Sequence, residues 1–178
     1  MKTFYGFVAA SLLACATSCS AASADDVMSN DRPNNQNDSV QVTETTAQAP
    51  AGSPVSDHGF LKINGTNVVD QYNQVTQLRG VSFGWHNWWP RFYNEGTVKH
   101  LATDWGAEIV RAAIGIDQDN NTFDRNPNYC YQMVDNIVQP AIENGLYVIV
   151  DFHCHNNKLD LAKKFFGEVS KKMATFPM

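Results

Sequence analysis

The sequence predicts an α/β fold built from parallel βαβ units, on three observations. Short apolar runs rich in β-branched residues alternate with stretches of helical period. Proline and glycine punctuate the helical stretches, and the final apolar run gathers its polar residues at its C-terminal end. "GFLKINGTNVVDQYNQVTQLRGVSF" opens the folded part near His58, with Phe60, Leu61 and Ile63 before an Asn-Gly turn and Val75, Leu78 and Val81 after it. This predicts a β-hairpin leading into a first long strand from about Leu78 to Phe83. "EGTVKHLATDWG" carries Val98, Leu101, Ala102 and Trp105 at i, i+3, i+4 and i+7, an amphipathic helix closed by Gly106. "AEIVRAAIGI" is a second buried strand. "NPNYCYQMVDNIVQPAIENG" is a helix with Tyr129, Met133, Ile137, Ala141 and Ile142 on one face, and Pro140 predicts a kink or a split. "LYVIVDFH" is a third buried strand, and "KLDLAKKFFGEVSKKMATF" a helix with Leu161, Phe165, Val169 and Met173 in line.

The chain ahead of this region has a different character. Residues 1–19 pair a basic start at Lys2 with an apolar run too short to span a bilayer, which reads as a secretory signal peptide. "LLAC" ending at Cys15 is similar to a lipoprotein signal, with Cys19 a second candidate for lipidation; ordinary cleavage after "SAASA" is the third option. Residues 20–57 hold no aromatic, leucine or isoleucine, so they predict a disordered linker that buries too little apolar surface to offset its ordering entropy. The domain then occupies 58–178. A net charge of −5 without a basic cluster speaks against nucleic acid as a partner. Cys130 and Cys154 are the two cysteines of the domain, and they read as separate thiols rather than a bridge.

Alternation along the third strand puts Tyr147, Ile149, Asp151, His153 and the following His155 on one face, and Val148, Val150, Phe152 and Cys154 on the other. Parallel-sheet barrels place their chemistry at such strand ends. Arg111 is a charge inside a buried strand and needs a carboxylate, whether it serves as framework or function. Three of the four tryptophans fall between residues 85 and 89, in "GVSFGWHNWWPRFYN". Flat indole faces beside amides and a guanidinium suit sugar rings, although some of these aromatics should simply pack against the first helix.

Taken together, "LRGVSFGWHNWWPRFYN", "WGAEIVRAAIGI" and "NGLYVIVDFHCHN" resemble the first three β/α units of glycoside hydrolase family 5 cellulases, bacterial endoglucanases above all. The resemblance implies the N-terminal portion, about three β/α units, of a (β/α)8 TIM barrel and retaining hydrolysis of β-1,4-glucan without metal or organic cofactor. It makes Arg111 the strand-two arginine that positions the nucleophilic carboxylate and His153 the histidine of the cleaving subsite. It makes Trp88 a platform for a glucosyl ring and places His86 among the polar substrate-binding groups of the same loop. Phe152 and Cys154 depart from the family's residues on a face turned away from the barrel interior.

Retaining hydrolysis needs two carboxyl groups about 5–5.5 Å apart. The family carries its acid/base glutamate in an Asn-Glu-Pro after strand four and its nucleophile after strand seven, and neither motif occurs in these 178 residues. The expectation is an N-terminal part of a longer enzyme, inactive on carboxymethyl-cellulose when made alone. It further implies a monomer acting on a β-glucan such as cellulose, exported and either lipid-anchored at the cell surface or secreted. Two other readings stand beside it: a metal-dependent amidohydrolase using Asp151, His153 and His155, and a non-catalytic carbohydrate-binding surface protein.

Overall fold

The computed structural model describes residues 48–117 and 120–174. The expected signal peptide, its candidate lipidation sites and residues 20–47 of the expected linker lie outside them. A five-residue helix, α1 (Pro54–His58), comes first. The Ser53 side chain accepts from the Ser56 N–H at 3.3 Å, and Pro54 takes the first helical position, where a missing N–H costs nothing. The Val55 N–H donates to Gly145 O at 3.0 Å, so this segment is tied to the body of the fold. The boundary expected between 57 and 58 therefore falls inside a helix. Composition reads that stretch as linker because its order comes from caps and a backbone contact, not from apolar side chains.

An antiparallel hairpin comes next, β1 (Lys62–Asn64) and β2 (Asn67–Val69), with Ile63 opposite Val68. Its turn sits at the Asn-Gly step, where Gly65 takes φ +61°. Val75 returns only as a single bridge to Val69. The bend between them is drawn tight by the Asp70 carboxylate, which accepts from Tyr72 N–H at 2.9 Å and Gln74 N–H at 2.8 Å. The first long strand begins two residues later than expected, as β3 (Gly80–Trp85).

The parallel alternation then appears as the periods predict. A short 3-10 turn (Pro90–Phe92) leads into α2 (Glu95–Thr103), succeeded by β4 (Ile109–Gly115), α3 (Pro127–Glu143), β5 (Tyr147–His153) and α4 (Leu159–Met173). The three strands form one parallel sheet in the order β3-β4-β5. One face is covered by helices: Val110, Ala112 and Ile114 of β4 and Val148, Val150 and Phe152 of β5 pack with residues of α2, α3 and α4. Phe152 thus points into this core, and the half-buried Cys154 lies against it. The two thiols are free, as expected.

Two expectations fail locally. The helical period puts Trp105 on the buried stripe, yet α2 ends at Thr103 and the indole is 68% exposed, edge-on to His100. That period carries meaning only while the helix lasts. Pro140 does not split α3, which runs on to Glu143, because the proline sits in the last turn and forfeits a single ladder bond.

At the centre of the helix-side core, Phe165 has no exposed surface and meets Phe123, Tyr131, Phe152 and Phe166 at ring-centroid distances of 5.1–6.0 Å. Phe165→Ala should cost about 3–5 kcal/mol of stability in urea unfolding, and Phe165→Leu much less.

Candidate active site

On the face away from the helices, Arg111 stands opposite Ile149, and Ala113 opposite Asp151. Arg111 and Asp151 are therefore diagonal neighbours on one side of the sheet. The Arg111 Nη2 donates to Asp151 Oδ2, forming an ion pair in which Asp151 is nearly buried. Nη1 donates to Ser82 Oγ of β3 at 2.8 Å, so the guanidinium spans all three strands. The carboxylate that a strand-borne arginine requires is thus Asp151. His153 completes the group, with Nδ1 2.8 Å from Asp151 Oδ2 and 2.9 Å from Arg111 Nη2. One ring nitrogen holds one role at a time. As N–H it donates to the carboxylate and leaves Nε2 as the acceptor; as a lone pair it accepts from the guanidinium.

The aromatic ledge beside this group owes its position to a bulge. Ser82 pairs with Arg111 and Trp85 with Ala113, so β3 carries one residue more than β4 over that step. Gly84, at φ +72°, takes the left-handed conformation the bulge needs. The extra residue turns Trp85 onto the Arg111 face. Its indole stacks on Trp88 at 4.5 Å and lies 5.1 Å from the His153 ring and 5.3 Å from His155. Gly115 leaves the room: a Cβ there would come within 2.8 Å of the Trp85 ring and of Asn87 Oδ1. Trp88 remains 48% exposed, with one face on Trp85 and the other available to a ligand. Trp89 and Phe92 are partly exposed and flank the Arg91 guanidinium at 5.0 and 4.5 Å from their ring centres.

The same bulge sends His86 the opposite way. Expected among the substrate contacts, it instead has no exposed surface. Nδ1 accepts from the Gly115 N–H at 3.1 Å, Nε2 donates to Asn121 O at 2.9 Å, and the Cys130 thiol lies 3.4 Å from Nε2. Both nitrogens are occupied, so His86 is a strut between β3, β4 and the loop after β4. Burial lowers its pKa, outweighing the opposing effect of the bond to Asn121. Burial also pushes the Cys130 thiol up to about 12, which keeps it protonated and inert.

Sequence reasoning missed Tyr93. It is buried, and its hydroxyl accepts from the Ala113 N–H at 3.0 Å and sits 2.6 Å from Gly84 O, pinning the bulge to β4. Burial raises its pKa strongly, so the phenol stays neutral. A lone tyrosine after an aromatic loop carries no local signal of this role. Asp117 was missed as well. Its Oδ1 accepts from Lys158 Nζ at 2.7 Å and its Oδ2 from the His155 N–H at 2.5 Å, which clasps the loops after β4 and β5 together. Burial acts to raise its pKa, but the Lys158 and backbone hydrogen bonds prevail and the carboxyl is held below its usual range.

The Asp151-x-His153-x-His155 run does not assemble as a donor set. Arg111 already occupies Asp151, and among the described residues no three His, Cys, Asp or Glu side chains converge on a point that could hold a metal ion.

Trp85 closes β3 and His153 closes β5, with Asp151 two residues before that end and Arg111 reaching them from mid-strand, so the group gathers toward the carboxyl ends of parallel strands, the layout of α/β barrel enzymes. The family model Cellulase (glycosyl hydrolase family 5) matches residues 69–176, and the chain belongs to that family, whose fold is a (β/α)8 barrel. Endoglucanase E-5 of Thermobifida fusca is 33% identical over 134 residues, covering 72% of this chain and 28% of the relative. Endoglucanase A of Butyrivibrio fibrisolvens is 31% identical over 145 residues, covering 73% and 33%. A solved structure from Cytophaga hutchinsonii superposes with a TM-score of 0.65 at 36% identity, over 70% of this chain and 41% of that one. The catalytic domain of a Thermobifida fusca endoglucanase gives 0.63 at 32% identity, over 70% and 42%, and has also been solved in complex with cellotetraose. The chain spans about three-tenths of the length of these curated relatives.

His86 carries the prediction here. An imidazole held below the unfolded value of about 6.5 refuses a proton that the unfolded chain accepts, so stability falls as pH drops below about 6.5. His86→Ala should cost about 2–4 kcal/mol at pH 8 and flatten the acid side of the stability curve, both read from urea unfolding across pH.

Proposed function

We propose that this chain contributes the substrate ledge and the arginine–histidine support of a retaining endo-β-1,4-glucanase. The observation that carries the reading is the Arg111–Asp151–His153 network beside the Trp85–Trp88 stack, at the strand ends of a family 5 chain. A glucosyl ring lays its C–H face on the outer face of Trp88. Arg111, fixed by Ser82 and Asp151, keeps positive potential where a carboxylate nucleophile must ionise and be aimed. His153, oriented through Nδ1, presents Nε2 to a sugar hydroxyl of the cleaved unit.

The two reacting carboxyl groups come from residues outside these 178. Asp151 and Asp117 are both committed to cations, so the described residues suit binding and orientation rather than bond cleavage. In the complete reaction one carboxylate attacks the anomeric carbon while the other carboxylic acid protonates the leaving oxygen; the latter, now a base, takes a proton from water, which hydrolyses the glycosyl-enzyme, frees the sugar and restores the nucleophile. No cofactor enters. In this reading residues 1–19 direct export, the product being either anchored by a lipid on Cys15 or Cys19 or secreted, and the enzyme acts as a monomer on a β-glucan.

Binding tests the ledge. Trp88→Ala should raise the Kd for cellotetraose about tenfold, a loss of about 1.4 kcal/mol in calorimetric titration. In the complete enzyme Arg111→Lys should lower kcat on carboxymethyl-cellulose more than it changes KM, since Lys lacks the fork that reaches both Ser82 and Asp151. Fresh product should appear first as the β-anomer by proton NMR. A first-formed α-anomer, or activity lost to a chelator and restored by zinc, would overturn the reading.

A further inference from the structure

The loop between β5 and α4 holds one side chain that this chemistry leaves unused. The His155 side chain is 58% exposed at the same strand-end face, its ring 5.3 Å from the Trp85 indole and 6.1 Å from His153, perpendicular to the latter at 89°. Its backbone is fixed from two sides. The His155 N–H donates to Asp117 Oδ2 at 2.5 Å, and Lys158 Nζ holds the other oxygen of that carboxylate at 2.7 Å. The Lys158 Nζ also reaches Ile116 O at 3.5 Å, so the lysine bridges the carboxylate and the backbone at the end of β4. The ring nitrogens, by contrast, make no hydrogen bond among the described residues. The approach of Nδ1 to Asp117 Oδ2, at 3.7 Å, is too long for one.

The bonded backbone N–H and the contact of the ring with Trp85 narrow the positions open to the imidazole before any ligand arrives, which lowers the entropic cost of binding. The neutral imidazole carries one donor and one acceptor, the complement of a hydroxyl that both gives and takes a hydrogen bond. Its apolar neighbour is the inner member of the tryptophan pair, and its polar neighbour is the histidine assigned to the cleaved unit.

We propose that His155 is a substrate-binding residue that hydrogen-bonds a hydroxyl of a glucosyl unit lying along the Trp85–Trp88 ledge next to the unit served by His153. This rests on the glucanase reading above and adds a specificity contact to it. The contact discriminates by hydroxyl position, so it favours glucans whose hydroxyls point toward the β5–α4 loop over those that carry a substituent there. Asp117 and Lys158 act through it as positioning residues.

The full chain, titrated with cellotetraose, decides the matter. His155→Ala should weaken binding about three- to tenfold, as loss of one hydrogen bond to a neutral hydroxyl does, while His155→Gln, which keeps a donor and an acceptor, should restore most of it. In the unmutated protein the His155 Cε1–H resonance should shift on addition of cellotetraose. The idea is overturned if the wild type binds, Trp88→Ala weakens binding, and His155→Ala stays within twofold with its ring resonance unmoved in the parent. That pattern leaves the glucanase reading standing, whereas a wild type that binds no cellotetraose removes both.

Discussion

A guanidinium planted in the middle of a parallel sheet must be neutralised, and the site depends on how this chain does it. Arg111 lies on β4 among Val110, Ala112 and Ile114, whose side chains fill the helix-side core, so the cation is forced to the other face. There the β4–β5 register places Asp151 one diagonal step away and Ser82 on the neighbouring strand, and both are taken as partners. Satisfying the charge therefore joins three strands and orients His153 in the same stroke. The pair is partly open to solvent, so its worth lies in placing groups more than in stability.

The second determinant is a single extra residue. Gly84 admits a bulge, and the bulge exchanges the faces of the two residues after it: Trp85 joins Arg111, and His86 enters the core. Tyr93 holds the bulge in place from below, while the absence of a side chain at Gly115 makes space for the indole above. Stacking on a nearly buried Trp85 keeps Trp88 presented at the surface, and a platform so supported needs little rearrangement to receive a flat ligand.

Much of the architecture is legible in the sequence, for identifiable reasons. The three strands and three helices come from the spacing of apolar residues, a signal repeated along each element and therefore hard to lose. The need for a carboxylate partner to Arg111 comes from the cost of burying charge. Where sequence reasoning fails, the deciding quantity is not periodic. Capping of α1 by Ser53, the end of α2 before Trp105 and the tolerance of Pro140 in a last turn each turn on one or two bonds at an element's end. His86 fails for another reason: the family resemblance of its loop implies a substrate-binding role, whereas the bulge at Gly84, settled by the pairing of β3 with β4, turns the side chain inward.

Local chemistry, read from the residues alone, determined that β4 and β5 are buried strands, that Arg111 needs an anion and that the loop at 85–89 is an aromatic surface. Only the tertiary structure decided which acid answers Arg111, that His86 is a strut and that His155 stands exposed beside Trp85 on a clasped loop. The reason is one of range. Propensity and periodicity act over a few neighbouring residues, whereas register, bulge and loop clasp are settled by contacts between strands some 30 to 40 residues apart in the chain.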